Sequence, residues 1–88
     1  MSATSTTYRI TYSTGTTTIL ITVIGSSGSY RITNSSVPSS FEAYSDYRTD
    51  QMFLNADEYA RSQLPQLRGA TITRVWVSIV NRSTFRIE

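Results

Sequence analysis

Alternation with a period of two runs through most of this chain of 88 residues, and it restricts the fold to one built on a sheet. In residues 6–13, Tyr8, Ile10 and Tyr12 fall on one side of an extended backbone, while Thr7, Arg9 and Thr11 fall on the other. That pattern predicts a half-buried strand. Thr14 and Gly15 supply turn chemistry, and residues 16–24 predict a second strand. Ile19, Ile21 and Val23 share one of its faces, and Leu20, Thr22 and Ile24 share the other; apolar residues on both sides place it centrally. Residues 25–28, with glycine at each end, read as a four-residue hairpin loop, followed by a third strand over 29–34 with Tyr30 and Ile32 inward. Residues 70–80 predict the longest strand, with Val75, Val77 and Ile79 on one side and Ile72, Arg74, Trp76 and Val80 on the other. After a turn at Asn81-Arg82, residues 83–88 predict a last strand with Phe85 and Ile87 on one face.

Between residues 34 and 54 the alternation stops, and a structureless connection of that length is unusual in a compact domain. Helical signals fill part of it. Ser39 and Glu42 have capping-box spacing, and Phe41, Tyr44 and Tyr47 follow at helical intervals, which predicts a short helix. A second helix is predicted with Asn55 as N-cap, Glu58 three residues on, and Leu54 and Tyr59 at the staple positions. Its buried face would carry Ala56, Tyr59, Ala60 and Leu64, and Pro65 should end it. The expected fold is a single α+β domain over residues 1–88: a small, mostly antiparallel five-stranded sheet in the order β-β-β-α(α)-β-β, with one or two short helices on one face. Residues 1–5 are expected to fray.

Composition removes whole classes of function. The chain has no cysteine, histidine or lysine, and all eight basic residues are arginine. No disulfide can form, and no thiolate or imidazole is present to ligate a metal. Catalytic units that need a histidine or a cysteine cannot be assembled, so no enzyme, cofactor or metal is expected. The longest apolar run, Ile19 to Ile21 resumed at Val23-Ile24, is far short of a membrane span, and residues 1–7 lack the positive start of an export signal. A cytoplasmic location, or one inside a particle or assembly, is expected.

Charge is unevenly spread although the net value is only +2. Residues 1–41 contain Arg9 and Arg31 and no acid, whereas Glu42, Asp46, Asp50, Asp57 and Glu58 crowd the middle against Arg48. Three stretches share a hydroxyl–aromatic–Arg–Ile order: Thr7-Tyr8-Arg9-Ile10, Ser29-Tyr30-Arg31-Ile32 and Thr84-Phe85-Arg86-Ile87. In each, the arginine points away from the aromatic residue and the isoleucine. On one sheet, Arg9, Arg31 and Arg86 would therefore project from the same side, with Arg74 and Trp76 beside them. Guanidinium groups so arrayed can hold carboxylates or phosphates bidentately. Tyr44 and Tyr47, in the long connection, are candidate aromatic anchors.

Residues 55–61, Asn-Ala-Asp-Glu-Tyr-Ala-Arg, and residues 67–75, Leu-Arg-Gly-Ala-Thr-Ile-Thr-Arg-Val, resemble the helix–glycine–strand tail of small phycobilisome linker domains. The resemblance is confined to these two stretches, needs a helical turn inserted between them, and has a single Gly69 where that family usually has two. It implies a basic linker seated in an acidic pigment-protein ring, but it does not amount to membership. The expectation from the residues themselves is a non-catalytic interaction module, such as an assembly, linker, adaptor or virion-type structural protein. It would bind an acidic protein partner through Arg9, Arg31, Arg74, Arg86, Trp76, Tyr44 and Tyr47, and it could form a homo-oligomer. The alternative is a single-stranded DNA or RNA binder using the same face.

Overall fold

The computed structural model describes residues 5–26, 28–33 and 41–78. Five strands, β1 (Ser5–Ser13), β2 (Thr18–Ser26), β3 (Ser29–Thr33), β4 (Phe41–Ala43) and β5 (Thr71–Ser78), form one sheet in the order β3-β2-β1-β5-β4. All four neighbouring pairs are antiparallel. One helix, α1 (Gln51–Gln63), and the 3-10 turns Asp46–Thr49 and Pro65–Leu67 complete the small α+β fold expected from the alternation.

The core lies between the sheet and α1, and the period-two pattern accounts for most of it. Tyr8, Ile10 and Tyr12 are buried at the centre of β1. Their register partners Val23, Ile21 and Ile19 on β2, and Val77 and Val75 on β5, share that face. The helix contributes Phe53, Ala56 and Ala60, all fully buried at helical spacing. Phe53 meets Tyr8 edge to face at 5.3 Å and Tyr47 at 5.1 Å between ring centroids. Pro65 ends the helix as predicted: α1 stops at Gln63, and Pro65 opens the next turn.

Several expectations are corrected. Of the residues expected to fray, Ser5 instead opens β1 and pairs with Ser26, and residues 1–4 lie outside the described residues. Strand β2 starts at Thr18, because Thr14 donates its N–H to the Thr17 carbonyl and closes a turn there. The β2–β3 hairpin is tighter than four residues, since Gly25 pairs with Tyr30 and Ser26 with Ser29. Gly25 thus serves close approach rather than turning: a Cβ there would stand 2.7 Å from the Tyr30 ring. Ile72 sits with Tyr12 on the helix side, not with Arg74, because a bulge between Thr11 and Tyr12 shifts the register at Thr73.

The helical connection differs most. Phe41, Glu42 and Ala43 form strand β4 instead of a helical turn, held to β5 with Phe41 opposite Ser78; Ser39 lies outside the described residues. Asp50, not Asn55, caps α1, accepting the N–H groups of Met52 and Phe53 at 2.9 and 3.4 Å. Asn55 lies one turn inside, its side chain accepting from Gln51. The predicted strand over 83–88, with Phe85 and Ile87, also falls outside the described residues, and the fifth strand is β4.

Candidate functional site

The sheet has one face under α1 and one face opposite it, and the register assigns the arginines. Arg9 pairs with Thr22 and Trp76, Arg74 with Thr11, and Arg31 with Ile24. All four of Arg9, Arg31, Arg74 and Trp76 therefore lie on the face away from the helix, as the alternation predicted. Arg86 lies outside the described residues. Arg9 reaches across β5 to β4, with its guanidinium 4.5 Å from the Phe41 ring centroid. Arg74 lies 5.7 Å over the Trp76 ring. Arg31, on the outermost strand β3, is exposed. Among the described residues the only ion pair is Arg61–Asp57, so none of these three arginines has a carboxylate neighbour there.

Among the described residues, placement keeps acids off this face. Strands β1, β2, β3 and β5 contain none. Asp46 belongs to the 3-10 turn, Asp50 to the helix cap, and Asp57 and Glu58 to α1. Glu42, on β4, is in register with Val77 and so lies on the helix side. Thr7 and Ser78 are buried at one end of the arginine face. Leu20, on the same face, is exposed at 57 %.

Tyr44 and Tyr47, expected as exposed anchors, are half-buried and tied to the core. Tyr44 stacks on Tyr8 at 6.3 Å and donates its hydroxyl to Asp50 at 2.7 Å. Tyr47 packs on Phe53, with Arg48 lying 4.8 Å over its outer side. These two tyrosines are not on the arginine face. They border a separate open cleft of about 230 Å³ next to the β5 bulge, which Arg48 and Arg74 also line.

Two polar clusters on the helix side escaped the sequence reading. Asp50 accepts from Tyr8 at 3.0 Å and from Tyr44, besides capping α1. Burial alone would raise its carboxyl, but the Tyr44 and Tyr8 hydroxyls and the Phe53 and Met52 amides outweigh that and hold it below the usual carboxylate range. Asp57 accepts from Tyr12 and from Arg61, which also donates to the carbonyls of Leu67 and Ala70 at 3.2 and 2.9 Å. Burial, then the hydrogen bond and the charge of Asp57, push the Tyr12 hydroxyl well above its ordinary range. The spacing of Asp57 and Arg61 at i, i+4 was a legible signal for their pairing. The partners Tyr8 and Tyr12 were not, because they stand 42 and 45 residues away in sequence. Every hydroxyl and carboxylate in these clusters is engaged in holding α1 to the sheet.

Among the described residues no three histidine, cysteine, aspartate or glutamate side chains gather as metal ligands. No helix among them is long and apolar enough to cross a membrane. Set against protein-family models, curated proteins and solved structures, the chain matches none of them, so the geometry of its own surface carries the functional argument.

Proposed function

We propose that this protein is a non-catalytic interaction module that binds an acidic protein partner through the sheet face opposite α1. One observation carries the reading: Arg9, Arg31, Arg74 and Trp76 share a face and stand on strands β1, β3 and β5, which contain no acid, while the described carboxylates lie with the helix layer or on the helix side of β4. Separation of charge across a sheet steers a partner of opposite sign to one side and orients it. Phe41 beneath Arg9 and Trp76 beneath Arg74 hold two of the guanidinium groups in place, which lowers the ordering cost of binding. Leu20 supplies apolar contact area on the same face. Such a module acts in the cytoplasm or within a particle, as an assembly, linker or adaptor component, and self-association is compatible with its separated charges.

The test is replacement of Arg9 and Arg31 with Ser, followed by affinity capture from the native source and mass measurement in solution. Loss of the captured partner with an unchanged circular dichroism spectrum is the expected result. Capture that persists removes the arginine face from the argument, and a monomer with no partner removes the assembly reading.

A second reading has one observation of its own. Trp76, half-buried beside Arg74, is the kind of platform on which a base of single-stranded DNA or RNA stacks. Titration with an oligonucleotide at several salt concentrations decides it, since each neutralised phosphate adds roughly −0.7 to the log–log slope for single strands. A flat salt dependence, or no binding at low salt, eliminates nucleic acid.

A further inference from the structure

The cleft beside the β5 bulge has chemistry that the arginine face alone does not explain. It opens between the 3-10 turn Asp46–Thr49 and the start of β5, and its walls include Tyr44, Ser45, Tyr47, Arg48, Thr73 and Arg74. Thr73, the extra residue of the bulge, lies in its wall beyond the end of β4. Both arginines arrive already oriented, Arg48 over Tyr47 and Arg74 over Trp76. Neither is in the ion pair found among the described residues, and no acid lines the cleft.

We propose that this cleft is a carboxylate-binding pocket in which Arg48 and Arg74 hold an acidic side chain of the protein partner. The inference rests on the acidic-partner reading and names the group that partner presents. Two guanidinium forks match a planar carboxylate, and the tyrosine rings give its methylene stem an apolar wall. A volume of about 230 Å³ suits one side chain rather than a cofactor. Phosphate sites typically recruit backbone amides from a glycine loop or a helix start. Here no glycine lines the cleft, and Asp50 already occupies the amides of Met52 and Phe53.

The experiment is an amide-resolved NMR titration of the full chain with an acetylated, amidated tetraglutamate peptide at constant ionic strength. Saturable shifts are expected at Ser45, Arg48 and Thr73. Affinity should fall at least fivefold in Arg48→Ser and recover only partly in Arg48→Lys, which restores charge without the fork. Wild-type affinity in Arg48→Ser, or no shift at those three amides, overturns the pocket. Inorganic phosphate that saturates the same amides at lower concentration overturns the carboxylate assignment. The two readings fail separately. Binding lost in the Arg9→Ser, Arg31→Ser double variant but kept in Arg48→Ser leaves the face and removes the cleft; the reverse pattern keeps the cleft and removes the face.

Discussion

The same strands present two faces of different construction. Toward α1, β1 sets Tyr8, Ile10 and Tyr12 against Phe53, Ala56 and Ala60, and the tyrosine hydroxyls end on Asp50 and Asp57. Away from α1, the intervening residues Arg9, Arg31 and Arg74 end on aromatic rings or in solvent, with no carboxylate from the described residues. Polar groups on the first face are consumed by the fold, whereas Arg9, Arg31 and Arg74 on the second are in no ion pair among the described residues. A tyrosine hydroxyl that donates to the carboxylate capping a helix is poorly placed to bind a partner. An arginine above a tryptophan, without a counter-ion among the described residues, is well placed to do so.

Substitutions should separate the faces by effect size. Phe53→Ala removes the ring that Tyr8 and Tyr47 pack on and should destabilise the fold by about 3–5 kcal/mol, measured by urea unfolding. A loss below about 1 kcal/mol would mean that α1 is not anchored there. Asp50→Ala removes the helix cap and orphans two tyrosine hydroxyls, for a loss of about 2–3 kcal/mol.

The same carboxylate gives the helix face a pH signature. Because the folded protein depresses its pKa, its contribution is complete above the ordinary carboxyl value of about 4 and is lost as pH falls through the lower folded value. Asp50→Asn should flatten that acid limb. Tyr12 acts with the opposite sign. Its raised pKa leaves its contribution intact below about 10 and erodes it as pH climbs further, so Tyr12→Phe should flatten the alkaline limb. Unfolding midpoints measured across pH for each variant check both limbs.

Gly25→Ala is next in size. The new Cβ would meet the Tyr30 ring at 2.7 Å, and displacing that ring costs about 1–2 kcal/mol. An unchanged unfolding midpoint would show that the ring moves aside freely. The smallest effect belongs to the opposite face. Arg31→Ser should change stability by no more than about 0.5 kcal/mol, while weakening partner capture. A larger loss of stability would make Arg31 part of the fold and erase the contrast between the faces.

Period-two patterning made the sheet legible, along with the buried trio of β1 and the side on which the arginines emerge. These depend only on local geometry, since alternate side chains of a strand must point to opposite faces. Pro65 marked the helix end for an equally local reason, its missing donor. The helix start was misplaced because Asn55 and Glu58 satisfy the local capping pattern as well as Asp50 does. Asp50 prevails with Tyr44 and with Tyr8, which stands 42 residues away in β1 and meets it only in the folded sheet.

Phe41, Tyr44 and Tyr47 have helical spacing, yet Phe41–Ala43 extend as β4 because β5 offers an edge to pair with. The register slip at Thr73, which moves Ile72 to the core side and lies at the wall of the cleft, left no mark in the composition of β5. By itself, then, the sequence determined a lysine-free and histidine-free α+β chain with arginines on one side of its strands. Only the tertiary structure decided which carboxylates the fold consumes and which guanidinium groups it leaves without a carboxylate partner among the described residues. Those outcomes depend on contacts between residues far apart in the chain, which local periodicity does not encode.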